Sequence, residues 1–144
     1  MSIIIDVLMK KEVEGLTDET VRRALALVLK EEGAELHLSV VLVDDAEIHR
    51  INRDFLQHDY PTDVISFDLR DDGPGADGEV LVSVDTARRE ASLRNVSLIS
   101  EVLLYCVHGT LHLLGYDDHE PEERCRMHQR QTELLALIGH ETAE

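Results

Sequence analysis

His108-Gly109-Thr110-Leu111-His112-Leu113-Leu114-Gly115-Tyr116-Asp117-Asp118-His119 is the stretch on which the reading of this chain turns. It closes the most apolar run in the sequence, Leu98 to Leu114. That run is longer than a typical strand and carries no Pro, which predicts a helix. Residues four apart on a helix lie about 40° apart around the axis, so His108 and His112 project from one face. Gly115 supplies the left-handed conformation that ends a helix. The chain can turn back there and bring His119 towards the first two imidazoles. Three neutral imidazoles with one position open make a catalytic type of zinc arrangement, in which a bound water has its pKa lowered towards neutrality. The expectation is one Zn2+ per chain, held by His108, His112 and His119. The competing expectation is a set of core and surface histidines with ordinary hydrogen bonds. The zinc-protease pattern His-Glu-x-x-His would put a general base directly after the first His. Gly109 stands there instead.

The chain has 144 residues, one domain's worth, enough to bury roughly two-thirds of its unfolded surface. Hydrophobic residues make up 43% and aromatics only 3%, with no Trp, so an aliphatic core is expected and global disorder is not. The N-terminus shows no basic segment of a signal peptide. The most apolar run is interrupted by Ser100, Glu101, His108 and His112, so no membrane span is expected. These features predict a cytoplasmic protein. Cys106 and Cys125 are too few for a disulfide scaffold and are expected as thiols. Cys106 points nearly opposite to His108 on the helix and reads as core. The net charge of −16 argues against a generic nucleic-acid surface, because the whole-molecule field repels phosphates.

Along the chain, residues 2–9 read as a first strand. Thr17 or Asp18 then caps a helix with Val21, Leu25, Val28 and Leu29 inside, and Gly33 stands where it should end. Residues 35–43 alternate as a second strand, with Leu36, Leu38, Val40 and Leu42 on one face. Asp44 caps the next helix, whose buried face is expected to be Ile48, Ile51 and Phe55. Residues 64–69 and 79–84 are further strands, the last apolar on both faces and therefore central. A helix from about Asp85 carries Arg88, Arg89 and Arg94, either a local phosphate-binding patch or a solvated face. The final helix starts at Pro121, has Met127, Leu134 and Ile138 as its inner stripe, and is expected to end at Gly139. His37, His49, His128 and His140 read as surface residues.

The His108–His119 stretch resembles the signature of the YbeY family of bacterial endoribonucleases and ribosomal RNA maturation factors. A second segment, Asn52-Arg-Asp-Phe-Leu-Gln-His-Asp59-Tyr-Pro61-Thr62-Asp63-Val64-Ile-Ser66-Phe67, resembles that family's Asp-x-Pro-Thr-Asp-Val-Leu-Ser-Phe motif. Glu79-Val-Leu-Val-Ser83 is similar to its Gly-Asp-Ile-x-Ile-Ser strand. The resemblance runs from about residue 40 to 138. It implies an α+β, zincin-like domain spanning residues 1–144, with a four-stranded mixed sheet, about five helices and one of them buried centrally. It implies a zinc-dependent, single-strand-specific endoribonuclease acting in 16S rRNA 3′-end maturation and ribosome quality control. The implied partners are ribosomal RNA, the small ribosomal subunit and a ribosome-associated GTPase. The candidate catalytic residues are His108, His112, Thr62 and Asp63; the last two could equally do no more than satisfy turn backbone.

Two departures stand out. The family's Arg in the second segment is replaced by Leu56. The family commonly leaves five residues between its second and third His, and here residues 113–118 make six. Asp117 or Asp118 could therefore complete the site in place of His119, or orient an imidazole. Two further readings follow from these features: a metal-dependent hydrolase of a non-RNA substrate such as a peptide, and a non-catalytic ribosome-assembly factor.

Overall fold

The computed structural model describes residues 3–142. In chain order these form β1 (Ile4–Met9), α1 (Asp18–Glu31), β2 (His37–Val43), α2 (Asp45–Leu56), β3 (Val64–Asp68), β4 (Gly78–Ser83), α3 (Val84–Arg94), α4 (Leu98–Leu113) and α5 (Pro121–Thr142). The four strands and five helices of the sequence reading are all present, in one α+β domain. Ser2 and the side chain of His140, both assigned above, lie outside what is described.

The sheet order is β1-β2-β4-β3. β1, β2 and β4 run parallel, and β3 pairs antiparallel with β4 at the edge. Each parallel step is made through a segment containing a helix, as parallel connections require. β2 and β4 occupy the middle, which explains their apolar residues on both faces. On one face Leu38, Val40, Leu42, Val80 and Val82 join the main core with α1, α4 and α5. On the other, Val41, Val43, Ile65 and Leu81 pack with Ile48 of α2 in a smaller cluster.

The caps follow local chemistry. Thr17, not Asp18, caps α1 by accepting from the amide of Thr20. Asp44 caps α2 through the amide of Glu47, and Ser97 caps α4 through the amide of Ser100. Two expectations are corrected. Phe55 is 67% exposed, although helical spacing put it on the buried face. The last turn of α2 overhangs the small cluster, and the residue buried there is Asn52, whose amide donates to the carbonyl of Tyr60 at 2.9 Å. Gly139 does not end α5, which continues to Thr142; an interior helical glycine costs about 1 kcal/mol against Ala but does not break the helix.

α4 is the central element. Val102, Cys106, Val107, Thr110 and Leu111 are fully buried, in contact with sheet and helices on several sides. Burial pushes the Cys106 thiol up to about 12, so it packs as a small hydrophobe. Cys125 is exposed. Among the described residues no single helix is long and apolar enough to cross a membrane.

Candidate metal centre

The C-terminus of α4 builds the site. Gly115 has φ +101° and follows the C-cap Leu114. Its amide donates to His112 O at 3.1 Å and the Tyr116 amide to Leu111 O at 3.0 Å. This is the Schellman pattern, and it satisfies carbonyls that the helix end would leave unpaired. The turn also aims the Tyr116 carbonyl back at the helix, 3.1 Å from His112 Nδ1. A carbonyl can only accept, so Nδ1 of His112 carries the proton. His108 Nδ1 lies 2.8 Å from Gln131 Oε1 on α5, again an acceptor. In the neutral form, each ring so bonded presents an unprotonated Nε2. Those two Nε2 atoms stand 3.1 Å apart.

In that form the two lone pairs face each other beside a carboxylate, an arrangement that favours a cation between them. Asp118 Oδ2 is 3.5 Å from His112 Nε2 and 3.8 Å from His108 Nε2. The three edges bracket about 3.3 Å, the separation of ligand atoms around a tetrahedral ion with bonds near 2.0–2.1 Å. Two imidazoles with fixed tautomers and one carboxylate are a donor set that fits a divalent cation.

His119, the third ligand expected from the sequence, is not part of this triangle. Its side chain is 82% exposed, and its Nε2 lies 3.4 Å from Asp117 Oδ1. With Asp117 and Asp118 it forms a second, more exposed trio. The reason is local. Asp117 Oδ1 accepts from the amides of Asp118 and His119 at 2.7 and 3.2 Å. Arg124 of α5 donates to the carbonyls of Asp118 and His119 at 3.4 and 3.2 Å. The tight turn points Asp118 to the histidines and its successor outward.

A cleft of about 460 Å³ opens at this cluster, and His108, His112 and Asp118 are part of its lining. Thr62 and Asp63 line it, and so does Leu56. Their hydrogen bonds are of the turn kind: Asp63 Oδ1 accepts from the Val64 amide at 2.8 Å and from the Thr62 hydroxyl at 3.3 Å. Both residues thus hold their own loop and face the cleft.

Gly109 has a packing explanation. A Cβ there would lie 2.7 Å from Val80 Cγ1 and 3.0 Å from Ser66 Oγ and Val64 Cγ2. The position after His108 faces the sheet, with no room for any side chain.

Two of the three arginines of α3 are engaged within the fold. Arg89 Nη1 is 2.8 Å from Asp45 Oδ2, and Arg94 Nη1 lies 2.9 Å from both oxygens of the 2%-exposed Glu101. These cations are matched to carboxylates of the fold. Near the cleft, Arg70 donates to Asp68 at 2.7 Å and to the Leu113 carbonyl at 3.0 Å.

The family model described as endoribonuclease YbeY matches residues 5–139. The chain belongs to the YbeY family. It is 44% identical to the endoribonuclease YbeY of Rhodopirellula baltica over 89% of this chain and 67% of that one. With that of Chloroherpeton thalassium it shares 40% identity over 97% of each chain. The solution structure of TM1509 from Thermotoga maritima superposes with a TM-score of 0.69 at 28% identity, covering 97% of this chain and 92% of that one. Asp118 now falls where the YbeY spacing puts the third His, and Leu56 falls in the cleft where that pattern has Arg. Sequence reasoning missed Gln131, which sits in the inner stripe of α5 between Met127 and Leu134. A polar residue at that apolar spacing was the available signal.

Proposed function

We propose that this chain is a metal-dependent endoribonuclease that processes ribosomal RNA. The observation that carries the reading is the convergence of two imidazole Nε2 atoms and the Asp118 carboxylate in the lining of a cleft, in a chain of the YbeY family. His108, His112 and Asp118 hold one Zn2+ per chain in this reading, and His119 is left to the loop. A hydrolytic reaction needs no redox change, and three protein ligands leave a position open for substrate or water. A bound ion of this kind would supply Lewis acidity for hydrolysis of a phosphodiester.

The chain's own groups do the rest. Gln131 and Tyr116 O fix the imidazole tautomers. Asp63 is assigned to accept the proton of the attacking hydroxyl or water, and Thr62, whose hydroxyl donates to Asp63 Oδ1, to hold that carboxylate in place. Single-stranded RNA is the substrate class, the 3′ end of 16S rRNA its site, and the small ribosomal subunit and a ribosome-associated GTPase its partners in the cytoplasm. The peptide-hydrolase reading loses ground at Gly109, where the packing that excludes a side chain also excludes a zinc-protease Glu.

The test is cleavage of a single-stranded RNA by the full chain with Zn2+, with chelator, and with His112→Ala. Cleavage that needs both the ion and His112 is expected. RNA left intact while peptides are hydrolysed would favour the rival.

A further inference from the structure

The cleft that holds the cluster is poorly equipped to attract RNA by charge. Among the described residues its lining includes Asp63 and Asp118 and no Lys or Arg. The chain carries −16 overall. Phosphate neutralisation, the usual source of nucleic-acid affinity, has little to work with here. The same cleft, however, is also lined by Leu56, His58 and Tyr60. Leu56 is 41% and Tyr60 52% exposed.

These side chains are held in place. Gln57 adopts φ +63° to end α2, and the His58 amide donates to Asn52 O at 3.1 Å. The buried Asn52 amide ties down the Tyr60 carbonyl. His49 Nε2 lies 2.8 Å from Asp59 Oδ1. The Tyr60 hydroxyl is 2.6 Å from His58 Nδ1, and the two rings meet edge to face with centroids 5.4 Å apart. The Tyr60 ring is thus exposed, fixed on a braced loop, and part of the lining of the cleft that holds the His108, His112 and Asp118 cluster.

We propose that Tyr60, braced by His58, is a stacking platform for the nucleobase adjacent to the phosphate that faces His108, His112 and Asp118. The inference rests on the endoribonuclease reading and adds where a nucleotide is gripped. Stacking suits an acidic protein, because every base has an uncharged flat face and the contact does not depend on counterion release. Tyr60 is a positioning residue in this account.

The experiment is fluorescence anisotropy of the full chain with a labelled single-stranded RNA octamer in chelator, which stops cleavage, alongside zinc-supplied cleavage assays. Tyr60→Ala leaves the carbonyl bonded by Asn52 and should fold; its melting curve checks this. It should weaken binding about 5- to 160-fold, the range for one stacked base. Tyr60→Phe keeps the flat ring but loses the hydroxyl bond to His58 Nδ1, so it should bind between Tyr60→Ala and wild type. Octamers with one base removed, position by position, should include one that binds wild type and Tyr60→Ala equally. Wild-type binding should also fall only shallowly with salt. Equal binding of Tyr60→Ala and wild type overturns the platform even where wild type cleaves RNA. A loss that persists with every abasic octamer also overturns it, by placing the effect in the fold. If the octamer binds as proposed but is never cleaved with zinc, the platform stands and the nuclease reading fails.

Discussion

The hydroxyl of Ser66 on β3 donates to the carbonyl of Gly109 on α4 at 2.9 Å. Helix and sheet approach so closely at this point that the residue between the two histidine turns can have no side chain. Gly109→Ala forces Val80 or the helix to move. Overpacking of this kind costs about 1–3 kcal/mol, and a thermal melt should show Tm lowered by about 3–10 °C. An unchanged Tm would mean the contact is soft and the missing Glu needs another explanation.

Arg94 should matter to stability more than to RNA. Glu101 is nearly fully buried and bonds Arg94 through both oxygens. Removing one partner of a buried pair typically costs 3–5 kcal/mol, because the other charge is left unpaired. Arg94 is 54% exposed, and water can partly replace it, so Arg94→Ala should cost about 2–3 kcal/mol in urea unfolding. Glu101→Gln should offset part of that loss in the double variant. A salt-dependent RNA-binding defect without a stability change would return Arg94 to a phosphate patch.

Much of this was legible in the sequence where a period or a special residue decides the structure. The i, i+4 spacing put His108 and His112 on one face, and Gly115 marked the turn after them. The choice between Asp118 and His119 was not legible, because it depends on which way one residue of a short turn points once Asp117 and Arg124 have pinned it. Phe55 fitted the helical stripe, but its ring meets the edge strand, edge to face with Phe67 of β3 at 6.3 Å, and stays 67% exposed. Arg94 and Arg89 looked solvated because their partners are set by tertiary geometry: Glu101 lies across a 118° corner between α3 and α4, and Asp45 comes from another helix.

Leu56 is half-exposed in the cleft and brings no charge to it. A preorganised donor at a phosphoryl transition state is worth on the order of 100-fold in rate. Wild-type cleavage of single-stranded RNA should therefore be slow, and Leu56→Arg should raise kcat by up to about that factor. Fast wild-type cleavage that the substitution leaves unchanged would show that another group already serves.

Gln131 should tune the metal without touching it. It fixes the His108 tautomer from α5. Loss of such a partner typically lowers metal affinity 10- to 100-fold, so Gln131→Leu should show that drop in a chelator competition while retaining its fold. Affinity equal to wild type would remove Gln131 from the site.

The identity of the third ligand is the most direct test of the whole account, and elemental analysis of untagged protein measures it. Wild type should carry about one zinc per chain. His119→Asn should retain it, whereas Asp118→Asn and His112→Ala should lose most of it. Retention by Asp118→Asn together with loss by His119→Asn would contradict the account and restore a three-histidine centre.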